Sequence, residues 1–290
     1  AYDQFFKKIS GYPTFKSRKR SKPSYPVRQN IWFNGNVVTI EKLGKVKFKT
    51  DFTFPEGRGH KFSNPRIANR NGKWILFFGM ECENQAPHLT DMPMGIDLGI
   101  KDLAIAECNG QIVFHNINKS KKMKELSKKQ KHLQRSISRK YEANKQGKKY
   151  IKTKNIERLE NKLRKLYYHI ANIRQNYIHQ CTHALVSLLP FRVVMEDLNI
   201  QGMMKNRHLA RAIQEQCLYE FIRQMRYKCE WNGIEFIQAN RFYPSSKTCS
   251  CCGNIKRDLK LSDRTYKCDI CGLKIDRDYN AAINLSKYTI

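Results

Sequence analysis

The acidic and sulfur-bearing residues of this sequence fall into patterns that few chemistries use. Asp97 stands alone within an apolar run, Met94-Gly-Ile-Asp-Leu-Gly-Ile100, followed by a second run from Leu103 to Ala106. A charge buried in such a strand costs several kcal/mol unless it is paired or metal-bound, so Asp97 is expected to face a site. At Arg192-Val-Val-Met-Glu-Asp197 a β-branched strand runs into two acids, and either Glu196 or Asp197 could be the one that faces it. The third acidic group opens Asp276-Arg-Asp-Tyr-Asn-Ala-Ala-Ile-Asn-Leu285. It reads as a helix start in which Asp276 could equally be an N-cap, and Ala281 and Ala282 would let the helix approach a sheet closely. Carboxylates from three separate elements suit Mg²⁺. Two such ions roughly 3.5 to 4 Å apart stabilise the attacking water and the leaving oxygen of a phosphodiester, which is hydrolytic nuclease chemistry.

Sulfur supplies the second pattern. Cys249 and Cys252 form one C-x-x-C knuckle, Cys268 and Cys271 another, 15 residues apart and each followed by a glycine, Gly253 or Gly272. Two thiolates from each tight turn complete a tetrahedron around zinc, and four protein ligands leave no open position, so the zinc is expected to be structural. An iron–sulfur cluster or a redox pair is the alternative. Cys251 is left over as a spare thiol. Lys256, Arg257, Lys260, Arg264 and Lys267, between or beside the knuckles, could touch nucleic acid. His179 and His183, four residues apart on a helix, lack the Glu of a zincin motif and read as packing or surface residues. The cysteines at 82, 108, 181, 217 and 229 have no ligand spacing and read as core.

These groups need a frame. Residues 1 to 29 mix aromatics, prolines and basic residues, as in a helix end running into a basic loop. Short strands are expected at Ile31–Phe33, Val37–Ile40, Val46–Phe48 and Trp74–Glu81, forming a small β-barrel or a plain antiparallel sheet. Ile156, Leu159, Leu163, Leu166, Ile170 and Ile173 recur at steps of three and four, the face of one long helix. A shorter helix near Met123–Ala143 precedes it, so the two can form an antiparallel hairpin around Gly147. Between Lys119 and Lys165 there are 19 Lys or Arg and four Glu among 47 residues, a face along which a phosphate backbone could lie.

The whole chain of 290 residues carries 55 Lys plus Arg against 25 Asp plus Glu, a formal charge of +30. That excess points to a polyanion, above all nucleic acid, because neutralising phosphates releases counterions. The apolar stretch Leu185–Met195 is broken by Ser187, Pro190 and Arg192, which excludes a membrane span there. With no secretory leader pattern at Ala1, a reducing, cytoplasmic and nucleoid-associated setting is expected, in which ten cysteines are thiols or metal ligands.

The strings Gly-Ile-Asp-Leu-Gly-Ile-Lys, Met-Glu-Asp-Leu-Asn and Asp-Arg-Asp-Tyr-Asn-Ala-Ala-Ile-Asn resemble, in order, the three RuvC motifs of the TnpB (OrfB) family of transposon-encoded RNA-guided endonucleases and the related type V CRISPR effectors. Tyr243-Pro-Ser-Ser-Lys-Thr248, Phe5-Phe-Lys-Lys, Gly11–Lys16 and Lys42–Lys45 also resemble family segments. The resemblance implies that Asp97, Glu196 and Asp278 are the catalytic, Mg²⁺-binding acids, with Asp197 and Asp276 as bystanders. It implies an α/β, RNase H-like (RuvC) core with an inserted helical hairpin, an N-terminal wedge β-barrel remnant and a four-cysteine zinc ribbon. Expected boundaries are 1–92 for the wedge part, 93–248 for the nuclease core with its insertion at 118–190, 249–272 for the ribbon and 273–290 for the last helix. The implied partners are a guide RNA from the transposon end and a target DNA, and the implied activity is DNA cleavage. Family members usually carry an upstream stretch that completes the wedge and a small recognition domain. A non-catalytic transposition accessory factor or guide-dependent repressor, or an enzyme of strand transfer, would share much of this pattern. The ribbon assignment predicts that Cys268→Ser lowers bound zinc and thermal stability together; unchanged zinc by elemental analysis overturns it.

Overall fold

The computed structural model describes residues 2–15, 23–28, 30–50, 52–55, 60–70, 72–81, 87–260 and 262–289. The chain divides into two compact units, Ala1–Glu83 and Asn84–Ile290.

The first unit holds a short helix α1 (Tyr2–Phe6) and strands β1 (Ser24–Pro26), β2 (Trp32–Asn34), β3 (Val37–Ile40), β4 (Gly44–Lys47), β5 (Ser63–Arg70) and β6 (Lys73–Gly79). They form two antiparallel three-stranded sheets, β1-β5-β6 and β2-β3-β4. Phe33 is the centre of the core: it stacks on Phe54 at 4.4 Å and meets Phe48, Phe62 and Phe78 at 5.2 to 5.5 Å. The pattern of apolar residues anticipates β2, β3, β4 and β6 but not β1 or β5. Strand β5 is mostly polar and contains Pro65, which ordinarily argues against a strand. The expected basic loop at 16–22 lies outside the described residues, as does Cys82.

In the second unit a five-stranded sheet runs in the order β13-β12-β7-β8-β9. Its members are β7 (Thr90–Leu98), β8 (Asp102–Glu107), β9 (Gln111–His115), β12 (Pro190–Glu196) and β13 (Glu235–Ala239). Strands β7, β12 and β13 are parallel, whereas β8 and β9 continue antiparallel as a meander. Alternation decides where the acids point, because side chains along a strand alternate between faces. Met94, Ile96, Val193 and Met195 lie in the core with Leu185 and Phe221. Val194 joins Leu285 in a separate cluster on the other face. Asp97 shares the parity of Gly95, and Glu196 that of Val194, so both acids belong to this second face.

A helical hairpin separates β9 from β12. Helix α2 (Lys121–Ala143) begins at Ser120, whose hydroxyl accepts from the Met123 amide; α3 (Lys154–Val186) begins at Thr153, which accepts from Ile156. Between them a two-rung hairpin of β10 (Lys145–Gln146) and β11 (Lys149–Tyr150) turns at Gly147, where φ is +57°. Met123, Leu126 and Leu133 of α2 pack on Leu166, Ile170 and Ile173 of α3, the stripe expected from the periodicity. At the hairpin base, Arg174 donates to Asn118 at 2.7 Å and Asn118 donates to the Glu215 carbonyl at 3.0 Å. Gln216 then donates to the Gly99 carbonyl at 3.0 Å, which fixes the turn two residues after Asp97.

Helices α4 (Ile200–Met204), α5 (Ala210–Gln216) and α6 (Leu218–Trp231) follow β12. Between α5 and α6 stands Cys217, in the left-handed region with φ +54° and only half-buried; Cys108 is also half-buried, while Cys181 and Cys229 are core as expected. The chain closes with the hairpin of β14 (Thr265–Lys267) and β15 (Lys274–Asp276) and with helix α7 (Arg277–Ser286).

Helix α7 covers the face that carries the acids. A Cβ built on Gly95 would stand 2.0 Å from the Ala282 carbonyl oxygen and 2.3 Å from the Ser286 nitrogen. Only glycine admits the helix this close, and the fully buried Ala281 and Ala282 keep its own side of the contact thin. Gly95→Ala is therefore expected to lower stability by at least about 2 to 3 kcal/mol, or roughly 5 to 10 °C in a thermal melt; a melt unchanged from wild type would mean that the helix does not sit there.

Candidate active site and metal centre

The predicted acids meet at one end of the sheet. Asp97 is the penultimate residue of β7, Glu196 the last of β12 and Asp278 the second of α7. The register pairs Met195 with Ile96, so each strand reaches its acid one step later, side by side. Burial pushes the Asp97 carboxyl well above its ordinary range, and the charges of Glu196 and Asp278 push it further; Arg277 opposes them. Like charges gathered at this range resist joint ionisation unless cations neutralise them.

Each of the other two acids has its own support. Asp276 caps α7 by accepting from the amides of Asp278 and Tyr279 at 3.0 and 3.1 Å, a structural role. Asp278 Oδ1 accepts from Arg277 Nη2 at 3.2 Å, and Arg264 lies 3.8 Å from Oδ2. Glu196 Oε1 accepts from the hydroxyl of Ser245, which is 2% exposed. Its neighbour Asp197 turns away to a 2.6 Å ion pair with Arg241.

Ser245 is in turn held by α7. Asn284 Nδ2 donates to the carbonyls of Ser245 and Thr248, both at 2.7 Å, and Asn280 Nδ2 donates to Thr248 at 2.7 Å. Asn280 Oδ1 accepts the Ser250 amide at 3.0 Å, and Lys287 donates to the Ser250 carbonyl at 2.7 Å. Tyr243 Oη donates to the Asn284 carbonyl at 3.2 Å while its ring meets Tyr288 at 4.9 Å. The helix that presents Asp278 thus also clamps the loop that orients Glu196. Sequence reasoning assigned no role to Ser245, Asn280 or Asn284. The available signal was two asparagines four residues apart on a helix whose intervening residues are apolar.

The four cysteines converge where that loop ends. Cys249 Sγ and Cys271 Sγ are 3.6 Å apart, and Cys252 Sγ and Cys268 Sγ 3.5 Å. For metal–sulfur bonds of about 2.3 Å the edge of a tetrahedron is about 3.8 Å, so the thiols stand at ligand spacing. Among the described residues this is the group of three or more side chains gathered closely enough to hold an ion together. The carboxylates, occupied by Arg277, Arg264 and Ser245, are more widely set. The Cys271 and Ile270 amides pull the Cys268 thiol down to about 6, while burial and the neighbouring thiols push Cys271 up to about 12. Gly253 and Gly272, at φ +76° and +74°, make the two turns. Tyr266, fully buried between Cys249 and Cys268, forms the small core with Leu259, Leu273 and Ile275, an aromatic that the cysteine spacing did not reveal. Cys251 is exposed and outside the cluster. The His179 carbonyl accepts from Lys228 at 3.0 Å, and burial lowers the imidazole pKa; neither His179 nor His183 belongs to a ligand group.

Positive charge lies on the hairpin. At its tip end, Lys140, Asn144, Thr153, Lys154, Asn155 and Arg158 line an open recess of about 600 Å³. No helix among the described residues is long and apolar enough to cross a membrane.

Residues 77–207 match the family model OrfB_IS605, described as "Probable transposase", and residues 219–285 match the Cas12f1-like TNB domain. A Streptomyces pristinaespiralis protein named as an RNA-guided DNA endonuclease is 32% identical over 290 residues, spanning 98% of this chain and 67% of that protein. The Escherichia coli K12 protein InsQ, similarly named, is 28% identical over 303 residues, spanning 98% and 70%. Among solved structures, a cryo-EM structure of a CRISPR-Cas12f ternary complex matches 79% of this chain and 46% of that one, with a TM-score of 0.51 at 18% identity, a likeness of fold. With near-complete coverage at 32% identity to a relative named as an RNA-guided DNA endonuclease, the chain belongs to the TnpB-like (OrfB) family.

Proposed function

We propose that this chain is the nuclease-bearing part of an RNA-guided, Mg²⁺-dependent DNA endonuclease of an insertion sequence, built on an RNase H-like (RuvC) core. The observation that carries the reading is the convergence of Asp97, Glu196 and Asp278, from three separate elements, on one face at one end of the sheet, close enough for two of them to shift the third. Residues 93–248 and 273–290 form the nuclease core, with 118–190 as its helical insertion, 249–272 as the ribbon and 1–92 as the wedge portion, its two small sheets the remnant of a barrel.

Asp97, Glu196 and Asp278 would hold magnesium, and their oxygen donors fit a hard cation. Bound there, magnesium supplies the positive charge that makes water a nucleophile and stabilises the departing oxygen of a phosphodiester. Ser245 holds the Glu196 carboxylate in one orientation by its hydroxyl. Arg277 neutralises part of the charge on Asp278, and the half-exposed Arg264 is placed to meet a phosphate. The thiolates of Cys249, Cys252, Cys268 and Cys271 would hold a structural zinc that pins the loop carrying Ser245. Lys140, Lys154 and Arg158, together with the rest of the basic hairpin, bind the backbones of guide RNA and target DNA by charge and shape, leaving sequence to base pairing.

The test is Mg²⁺-dependent cleavage of a guide-matched DNA by protein purified with RNA from its own locus. Asp278→Ala is expected to reduce cleavage to background, and Ser245→Ala to slow it roughly 10- to 100-fold. Guide-dependent binding without cleavage in the wild type would instead favour a repressor.

A second prediction concerns pH. Because the folded-state pKa of Asp97 is raised, its ionised form opposes folding. That penalty is absent below the ordinary carboxylate range near 4, grows as pH rises toward the raised value, and is complete above it. In buffer free of added divalent cations, Asp97→Asn should melt higher than wild type at pH 7 to 8, by about 2 to 4 °C per kcal/mol relieved, and the difference should vanish toward pH 4. Added Mg²⁺ should raise the wild-type midpoint and leave the variant's unchanged.

A further inference from the structure

Between β13 and the first cysteine knuckle the chain curls around Glu196. Ala239, the last residue of β13, is in register with Glu196; Arg241 pairs with Asp197; Ser245 donates to Glu196 itself. Phe242 lies midway along this curl, three residues from Ala239 and three from Ser245, so its Cα is within about 11 Å of each. It is 87% exposed, more than any other large apolar side chain described in residues 87–289.

Single exposed apolar residues are ordinary on protein surfaces. Phe242 differs in how its backbone is held. Its amide donates to Asn240 Oδ1 at 2.9 Å, and the Tyr243 amide donates to the Asn240 carbonyl at 2.8 Å. The Asn240 amide donates to Tyr288 Oη at 3.2 Å, and Tyr243 is anchored by its ring and its hydroxyl. Arg241 and Tyr243 on either side are thus both tied down, and the aromatic ring between them is presented outward by a fixed turn. The partner for such a ring, three residues from the serine that holds Glu196 and next to Arg241, which is about half exposed at the side chain, is another flat apolar face joined to phosphate.

We propose that Phe242 is a base-stacking residue: it takes one unpaired nucleobase of a single DNA strand whose adjacent phosphate lies at Asp97, Glu196 and Asp278. Stacking on an isolated ring is open to any base and closed to a paired one, so the site discriminates by strandedness rather than by sequence. This inference rests on the nuclease reading for the location of the phosphate.

The test uses the full chain and a single-stranded oligodeoxynucleotide carrying one 5-iodouracil, irradiated at long wavelength, with the crosslinked peptide mapped. Wild type and Asp278→Ala are both expected to crosslink at Phe242, and Phe242→Ala to lose the adduct while keeping its melting temperature. In cleavage, Phe242→Ala should lower kcat/KM on single-stranded DNA about 10-fold with an unchanged salt dependence, and Phe242→Tyr should restore it. Replacing the stacked nucleotide by an abasic one should cost wild type the same factor and Phe242→Ala nothing. Adducts mapped elsewhere, or a Phe242→Ala enzyme equal to wild type and equally sensitive to the abasic site, overturn the proposal. A Phe242 adduct without cleavage by wild type would sink the nuclease reading and leave the stacking assignment standing. Asp278-dependent cleavage indifferent to Phe242 would do the reverse.

Discussion

The approach of helix α7 to strand β7 at Gly95 is the contact on which the second unit depends. A helix resting on a sheet through ordinary side chains would stand off far enough to fit them; here the Ala282 carbonyl and the Ser286 amide occupy the space where any other residue would carry its Cβ. The consequence is positional. The first turn of α7 brings Asp278 to the strand ends, and its inner face brings Asn280 and Asn284 within hydrogen-bonding reach of a loop that belongs to neither element. One steric allowance therefore sets the third acid and, through Ser245, orients the second.

Packing of this kind is needed because the charges it assembles oppose it. Burial first, and then the charges of Glu196 and Asp278 beside it, raise the proton affinity of Asp97, and Arg277 opposes them without cancelling them. The folding free energy that gathers them comes from elsewhere: the central strand with Val193, Val194 and Met195 fully buried, and the helices α3 and α6 behind it. Charged groups held together against their own electrostatics need such a surrounding core.

Much of this was legible in the residues. An acid isolated among apolar neighbours has few structural uses, and paired cysteine knuckles fewer, so Asp97 and the four thiols could be named from the residues alone; the choice of Glu196 over Asp197 and of Asp278 over Asp276 came only from the resemblance to the TnpB family. The hairpin was readable from the three-four rhythm of Ile156 to Ile173. Polar residues that act on backbone carbonyls were less visible. Ser245, Asn280 and Asn284 carry no pattern of their own, since their partners are distant in sequence and any residue offers the same carbonyl. Strands β1 and β5 escaped because a polar segment containing Pro65 owes its place to pairing rather than to propensity. Cys217, expected in the core, is half-buried at the break between α5 and α6, because a lone cysteine carries no signal of a left-handed turn.

The asparagine clamp also bears on how such a protein can change. The cysteine-bearing excursion leaves the body of the unit at Thr248, where Asn280 and Asn284 hold its carbonyl, and returns at Asp276, the cap of the same helix; on the way back the Arg277 amide donates to Arg264 at 2.9 Å. Departure and return are thus fastened to adjacent turns of one element. A segment anchored in this way can be lengthened or shortened at only the slow, logarithmic cost of closing a longer loop, without moving the sheet. The cysteine-bearing segment is accordingly a place where length can change while the geometry of the acids stays the same.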